Sequence, residues 1–71
     1  EMDGNAIAKK LQLALLKLPE KQRIVFQYRY FDDLPYAEIA AITGTSEGAL
    51  KASYHFAVEK IKTNLESVLN L

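Results

Sequence analysis

The stretch PYAEIAAITGTSEGALKASYHFA, residues 35–57, decides the fold of this 71-residue chain. Pro35 opens a helix, since its fixed φ suits a first turn. Tyr36, Ile39, Ala40 and Ile42 supply the inward face of that helix. Thr43-Gly44 ends it, because glycine takes the left-handed conformation that a helix terminus favours. Ser46 then offers the short side-chain oxygen that caps a new helix. Around Gly44, the small Ala40 lies four residues before and the aliphatic Leu50 six after. Two helices that cross steeply need a small residue where their backbones approach. They also need a turn residue tolerant of positive φ and an apolar anchor on the second helix. The spacing is that of a helix-turn-helix corner, and a plain helical hairpin with a glycine turn satisfies it as well.

Working outward, Leu50, Tyr54, Ala57, Val58, Ile61, Leu65 and Leu69 continue a single apolar stripe, so the last helix is expected over 46–69. Upstream, Asp32-Asp33-Leu34 is a short acidic joint. Before it a helix is expected over 20–31, with Ile24, Tyr28 and Phe31 on one stripe. Val25, Phe26 and Tyr30 widen its apolar surface, which calls either for burial between helices or for a partner. Leu18-Pro19-Glu20 separates this helix from an earlier one, because the residue before proline is pushed out of helical geometry. That first helix is expected over 5–17, capped by Asp3 or Asn5, with Ile7, Leu11, Ala14, Leu15 and Leu18 on one face. Arg29 and Glu38 are placed to pair and brace the second helix on the third. The expectation is an all-α, four-helix domain with helices over 5–17, 20–31, 35–42 and 46–69, spanning residues 1–71 as one unit.

Composition narrows the function. The chain has no cysteine and one histidine, so neither a disulfide nor a metal site is expected, and no cofactor. No apolar run approaches the roughly 20 residues of a membrane span, and the lack of cysteine fits a reducing cytoplasm. Asp32 and Asp33 read as solvated turn residues with no histidine beside them to form a relay, and no glycine-rich phosphate loop exists. Nothing in the sequence supports an enzyme. Net charge is zero, against the usual basic excess of a nucleic-acid binder. The distribution is uneven, however. Lys9, Lys10, Lys17, Lys21, Arg23 and Arg29 against Glu20 give residues 9–29 a net +5. Asp32, Asp33, Glu38 and Glu47 give residues 30–48 a net −4. DNA binding by this domain alone is therefore expected to be weak and salt-sensitive.

The wider pattern adds a likeness. Leu18-Pro-Glu-Lys-Gln-Arg-Ile-Val-Phe, Tyr28-Arg-Tyr-Phe, Leu34-Pro-Tyr-Ala-Glu-Ile-Ala and Gly44-Thr-Ser-Glu-Gly-Ala-Leu-Lys-Ala follow one another in order. Together they resemble region 4, the C-terminal domain of bacterial RNA polymerase sigma factors of the extracytoplasmic-function type, over roughly Leu16 to Ile61. The resemblance implies that helices three and four read the −35 promoter element. It implies that the first two help form a surface for the flap of the polymerase β subunit. An anti-sigma factor is a further implied partner. The companion region that melts promoter DNA is absent, so the chain reads as a fragment of a longer factor, with Glu1-Met2 left by cloning.

The implied groove-facing residues are Lys51, Ala52, His55 and Phe56, with Ser46 and Gly48 at the helix start. Many family members carry arginine at the positions of Ser53 and Phe56; this chain does not, so the family's DNA contacts do not transfer intact. Lys51 is expected on a phosphate or a guanine, and His55 and Phe56 on base edges or thymine methyls. Each has a plainer alternative. Lys51 also reads as a solvated helix charge, His55 as an idle surface side chain, and Phe56 as covered by the first helix. Ser46 also reads as a cap alone, and Gly48 as a tolerated glycine costing roughly 1 kcal/mol against alanine. Two other functions compete with promoter reading. One is a protein-interaction module with little DNA affinity of its own. The other is a response-regulator output domain, which shares the Glu-Ile-Ala and Leu-Lys pattern but not the Leu-Pro-Glu-Lys-Gln-Arg opening.

Overall fold

The computed structural model describes the backbone of residues 4–69 and the side chains of residues 8–66. Its helices are α1 (Gly4–Leu16), α2 (Glu20–Phe26, wound on through a π-helical turn at Gln27–Phe31), α3 (Tyr36–Thr43) and α4 (Glu47–Leu69). The domain is thus all-α, as the sequence implied, with each end within a residue or so of expectation. The cap expected at Asp3 or Asn5, and the inward placing of Ile7 and Leu69, lie outside the described side chains.

Proline sets the starts of α2 and α3. The first helical residue of α2 is Glu20, as expected, whereas α3 begins at Tyr36, one residue after the expected Pro35. Each proline precedes the first helical residue in extended geometry, with ψ of 150° and 152°. Their carbonyls accept the first helical bonds, from Arg23 N–H at 2.9 Å and from Ile39 N–H at 3.1 Å. A proline there loses no bond, since the first amides of a helix have no helical partner.

The end of α2 departs from the expected single α-helix. Asp32 N–H donates to the Gln27 carbonyl at 3.3 Å, a five-residue closure, and Leu34 N–H donates to that of Tyr28 at 3.1 Å. In α geometry residues five apart point roughly 140° away from each other. The wider turn swings Phe31 back beside Phe26, where the rings meet edge-on at 6.1 Å, while Tyr30 stacks on Phe26 at 5.0 Å. Asp33 then takes φ 53°, a left-handed conformation that aspartate tolerates better than most residues.

The core is divided, which suits a body whose extents are 42 × 18 × 15 Å, long because α4 is long. One cluster joins Ala14, Leu15, Leu18, Phe26, Ala57 and Ile61. The other joins Val25, Ile39 and Leu50, and Tyr54 packs against both. Consecutive residues of α2 thus serve different clusters, Phe26 facing α1 and α4, Val25 facing α3 and α4. This corrects the stripe drawn through Ile24, Tyr28 and Phe31: Ile24 and Tyr28 are half-buried and Phe31 is exposed. A helix packed on two sides buries adjacent residues, and a one-sided periodicity misplaces its face. Ile42, expected inward, is likewise exposed, because α3 makes its contact through Tyr36, Ile39 and Ala40, and Ile42 lies off that face.

Candidate nucleic-acid interface

The corner at Gly44 has the expected chemistry. Gly44 adopts φ 71° and ψ 19°, and its N–H donates to the Ala40 carbonyl at 2.8 Å. The Thr43 hydroxyl donates to the Ile39 carbonyl at 2.8 Å and accepts from Thr45 N–H at 3.3 Å, closing the turn from both sides. Ser46 caps α4: its hydroxyl oxygen accepts from Ala49 N–H at 3.2 Å and its carbonyl from Leu50 N–H at 3.0 Å. Leu50 then anchors α4 on Ile39 and Val25, all three buried, with half-buried Ala40 beside them.

That anchoring leaves the opposite side of α4 bare. Ser46, Gly48, Lys51, Ala52, His55 and Phe56 are all exposed. Gly48, Ala52, His55 and Phe56 recur at helical spacing on one arc, facing away from Leu50 and Ala57. A Cβ added at Gly48 would meet nothing within 4 Å. Phe56 is 55% exposed, and it meets the His55 ring edge-on at 5.9 Å.

Lys51 stands apart from that arc. Its ammonium lies 5.7 Å from the centre of the Tyr36 ring, and the Arg29 guanidinium lies 5.0 Å from the same centre. Tyr36 thus gathers one cation from α2 and one from α4 by the attraction of its ring for positive charge. The Arg29–Glu38 pair expected from the sequence is not what forms. Arg29 instead donates to the Leu34 carbonyl at 3.1 Å and meets the Asp33 carboxylate at 3.9 Å. The π turn and the left-handed Asp33 aim it back over its own joint, a displacement with no local signal in the sequence. Tyr36 and Arg29 were therefore missed as neighbours of the interface.

Two further facts bound the chemistry. Burial holds the Tyr54 phenol above its ordinary pKa of 10.0, with Tyr36 and Tyr30 adding to the rise and Arg29 opposing it. Among the described residues, no group of three or more His, Cys, Asp or Glu side chains could hold a metal ion. Nor is any helix there long and apolar enough to cross a membrane.

Comparison with known proteins bears on the same residues. The Sigma-70, region 4 family matches residues 8–61, which include all of α2, α3 and the exposed start of α4. The ECF RNA polymerase sigma factor RpoE of Cereibacter sphaeroides is 32% identical over 56 residues, covering 79% of this chain and 31% of the relative. The chain therefore spans about a third of the length of the curated relative it matches. With four helices in the expected order and a family match over most of its length, the chain belongs to the sigma-70 region 4 family.

Proposed function

We propose that this domain recognises the −35 promoter element as the DNA-reading part of a longer extracytoplasmic-function sigma factor, bringing RNA polymerase to its promoters. One observation carries the reading: the arc of Gly48, Ala52, His55 and Phe56 is exposed at the start of a helix whose other side is anchored on buried Ile39. A helix entering the major groove presents its N-terminal residues to base edges in this way. Gly48 and Ala52 let the backbone come close. Phe56 packs on a thymine methyl, and His55 reaches a base edge. The amides at the start of α4, with Ser46, meet a phosphate. Lys51, leaning over Tyr36 instead of into the arc, meets a phosphate as well.

Selection of duplexes from a randomised pool, at about 50 mM salt where phosphate contacts hold best, tests this. The expected result is a single enriched consensus, with weaker binding by Lys51→Ala. A pool that emerges unenriched ends the reading, and unchanged affinity in Lys51→Ala removes that residue from the contacts.

A second reading, docking on a protein, has its own support. Tyr30 is 59% exposed beside a groove of about 340 Å³ lined by Leu11, Phe26, Tyr54, Val58 and Leu65. The polymerase β flap and an anti-sigma factor are the partners proposed for it. Replacing Tyr30 and Phe31 with alanine should abolish capture of a flap fragment while the selected duplex is still bound. Retained capture would clear that surface of the role.

A further inference from the structure

The start of α4 has two flanks. Lys51 and Ser53 lie about 200° apart around the helix at 3.6 residues per turn, with exposed Gly48, Ala52 and His55 on the arc between them. On the Lys51 side stand Tyr36 and, against its ring, Arg29. On the Ser53 side lies a recess of about 180 Å³ between α2 and the Gly44 turn. Lys21, Ile24, Thr43, Thr45 and Ser53 line it, above the core residues Val25 and Leu50.

The polar groups of this recess are one ammonium and three hydroxyls, with no carboxylate among its lining residues. The Thr43 hydroxyl is committed to the turn, as described above. Thr45 and Ser53, both half-buried, line the recess together, and the part of their rotamer freedom lost to burial is not lost again on binding. Lys21 is exposed, and among the described residues the ion pair within 4.0 Å joins Arg29 to Asp33, leaving the Lys21 ammonium without a carboxylate. An ammonium with two hydroxyl donors suits a phosphate oxygen, whose charge-assisted bonds are the stronger kind. A helix in the major groove, about 12 Å wide, has a strand of phosphates on each side. Resting on the DNA-reading function proposed above, the geometry points to this recess as the contact for a backbone phosphate of the strand on the α2 side. Lys21 neutralises that phosphate, and Thr45 and Ser53 donate to it. Lys51, beside Tyr36, serves the opposite strand. Such a contact sets the depth and orientation of α4 and carries no base information.

Salt titrations of the wild type, Lys21→Gln, Lys21→Arg and Lys9→Gln against the selected duplex and a scrambled one test the assignment. Loss of one phosphate contact lowers the slope of log affinity on log salt by about 0.9. Lys21→Gln should show that drop on both duplexes, with their affinity ratio unchanged, and Lys21→Arg should keep the wild-type slope. Lys9→Gln removes the same charge from an exposed position on α1 and should leave the slope as it was. A wild-type slope in Lys21→Gln, an equal drop in Lys9→Gln, or a changed affinity ratio would each overturn the assignment. Inorganic phosphate that perturbs the Thr45 and Ser53 amides, where the duplex leaves them unmoved, would overturn it too. If the wild type binds no duplex, the DNA-reading function falls with it; if it selects a duplex and Lys21→Gln keeps the full slope, only the recess does.

Discussion

The ring of Tyr54 stacks on that of Phe26, with 5.7 Å between centroids and 24° between planes. Phe26 belongs to the cluster that holds α1 against α4, whereas Tyr54 also packs against the cluster under α3. The contact ties the two halves of a divided core through one residue of α4. Truncating Tyr54 should therefore loosen the start of α4 and the α1 contact together. Tyr54→Ala is expected to cost about 3 kcal/mol, as removal of a packed aromatic does, read as a lowered denaturant midpoint. Tyr54→Phe keeps the ring and should lie within about 1 kcal/mol of wild type near neutrality. The phenol adds a pH dependence. Its folded pKa is raised above 10.0, so the neutral form is favoured by folding. Its contribution is complete below the unfolded value and lost as pH rises through the folded one. Above pH 10 wild type should fall relative to Tyr54→Phe, and parallel curves would show that the phenol is not desolvated.

Gly44 is needed for its backbone and not for space. Its φ is 71°, yet a Cβ there would meet nothing within 4 Å. Gly44→Ala should cost about 1 kcal/mol, the penalty of a side chain in the left-handed region. Gly44→Asn, which tolerates that region, should recover much of it. Equal unfolding midpoints for all three proteins would show that the corner is held by its neighbours instead.

At Gly48, stability and binding should move in opposite directions. The position lies in the first turn of α4 with open space around it, so Gly48→Ala should raise stability by up to about 1 kcal/mol. If the helix start approaches DNA closely, the same methyl holds the backbone away and the selected duplex binds more weakly. Calorimetric unfolding and duplex titration of one variant give both signs. Tighter binding would place Gly48 off the DNA.

Phe56 should behave as a surface residue in folding and as a reader in binding. It is 55% exposed, and no buried cluster includes it. Phe56→Ala should shift stability by less than about 0.5 kcal/mol while lowering discrimination at one base step by up to the roughly 1–3 kcal/mol that a mismatched base pair costs. A large loss of stability would reassign the ring to the core.

Local chemistry was enough to place the helices and their breaks. Pro19 and Pro35 set starts through their own fixed φ, Gly44 ends α3 through its own freedom, and Ser46 caps α4 within a single turn. The stripe from Leu50 to Leu65 was equally readable, since one side of a long helix repeats at 3.6 residues. The residues of the bare arc, Gly48, Ala52, His55 and Phe56, were named by the family resemblance, and their exposure agrees with lying off that stripe. These features act between residues a few positions apart, and their pattern survives in a linear string.

Features that depend on distant elements were not readable there. Val25 is buried in place of Ile24 because α2 lies between two clusters, which no one-face periodicity describes. The π turn arises where Phe26, Tyr30, Phe31 and Tyr54 settle their rings against one another across two helices. Arg29 loses the expected Glu38 and gains the Tyr36 ring because that turn redirects it. Lys21 and Ser53 stand 32 positions apart in sequence and share a recess solely through the packing of α2 on α4. Burial and electrostatic pairing are set by whichever surfaces the packed helices bring within a few ångströms, and only the assembled chain defines those distances.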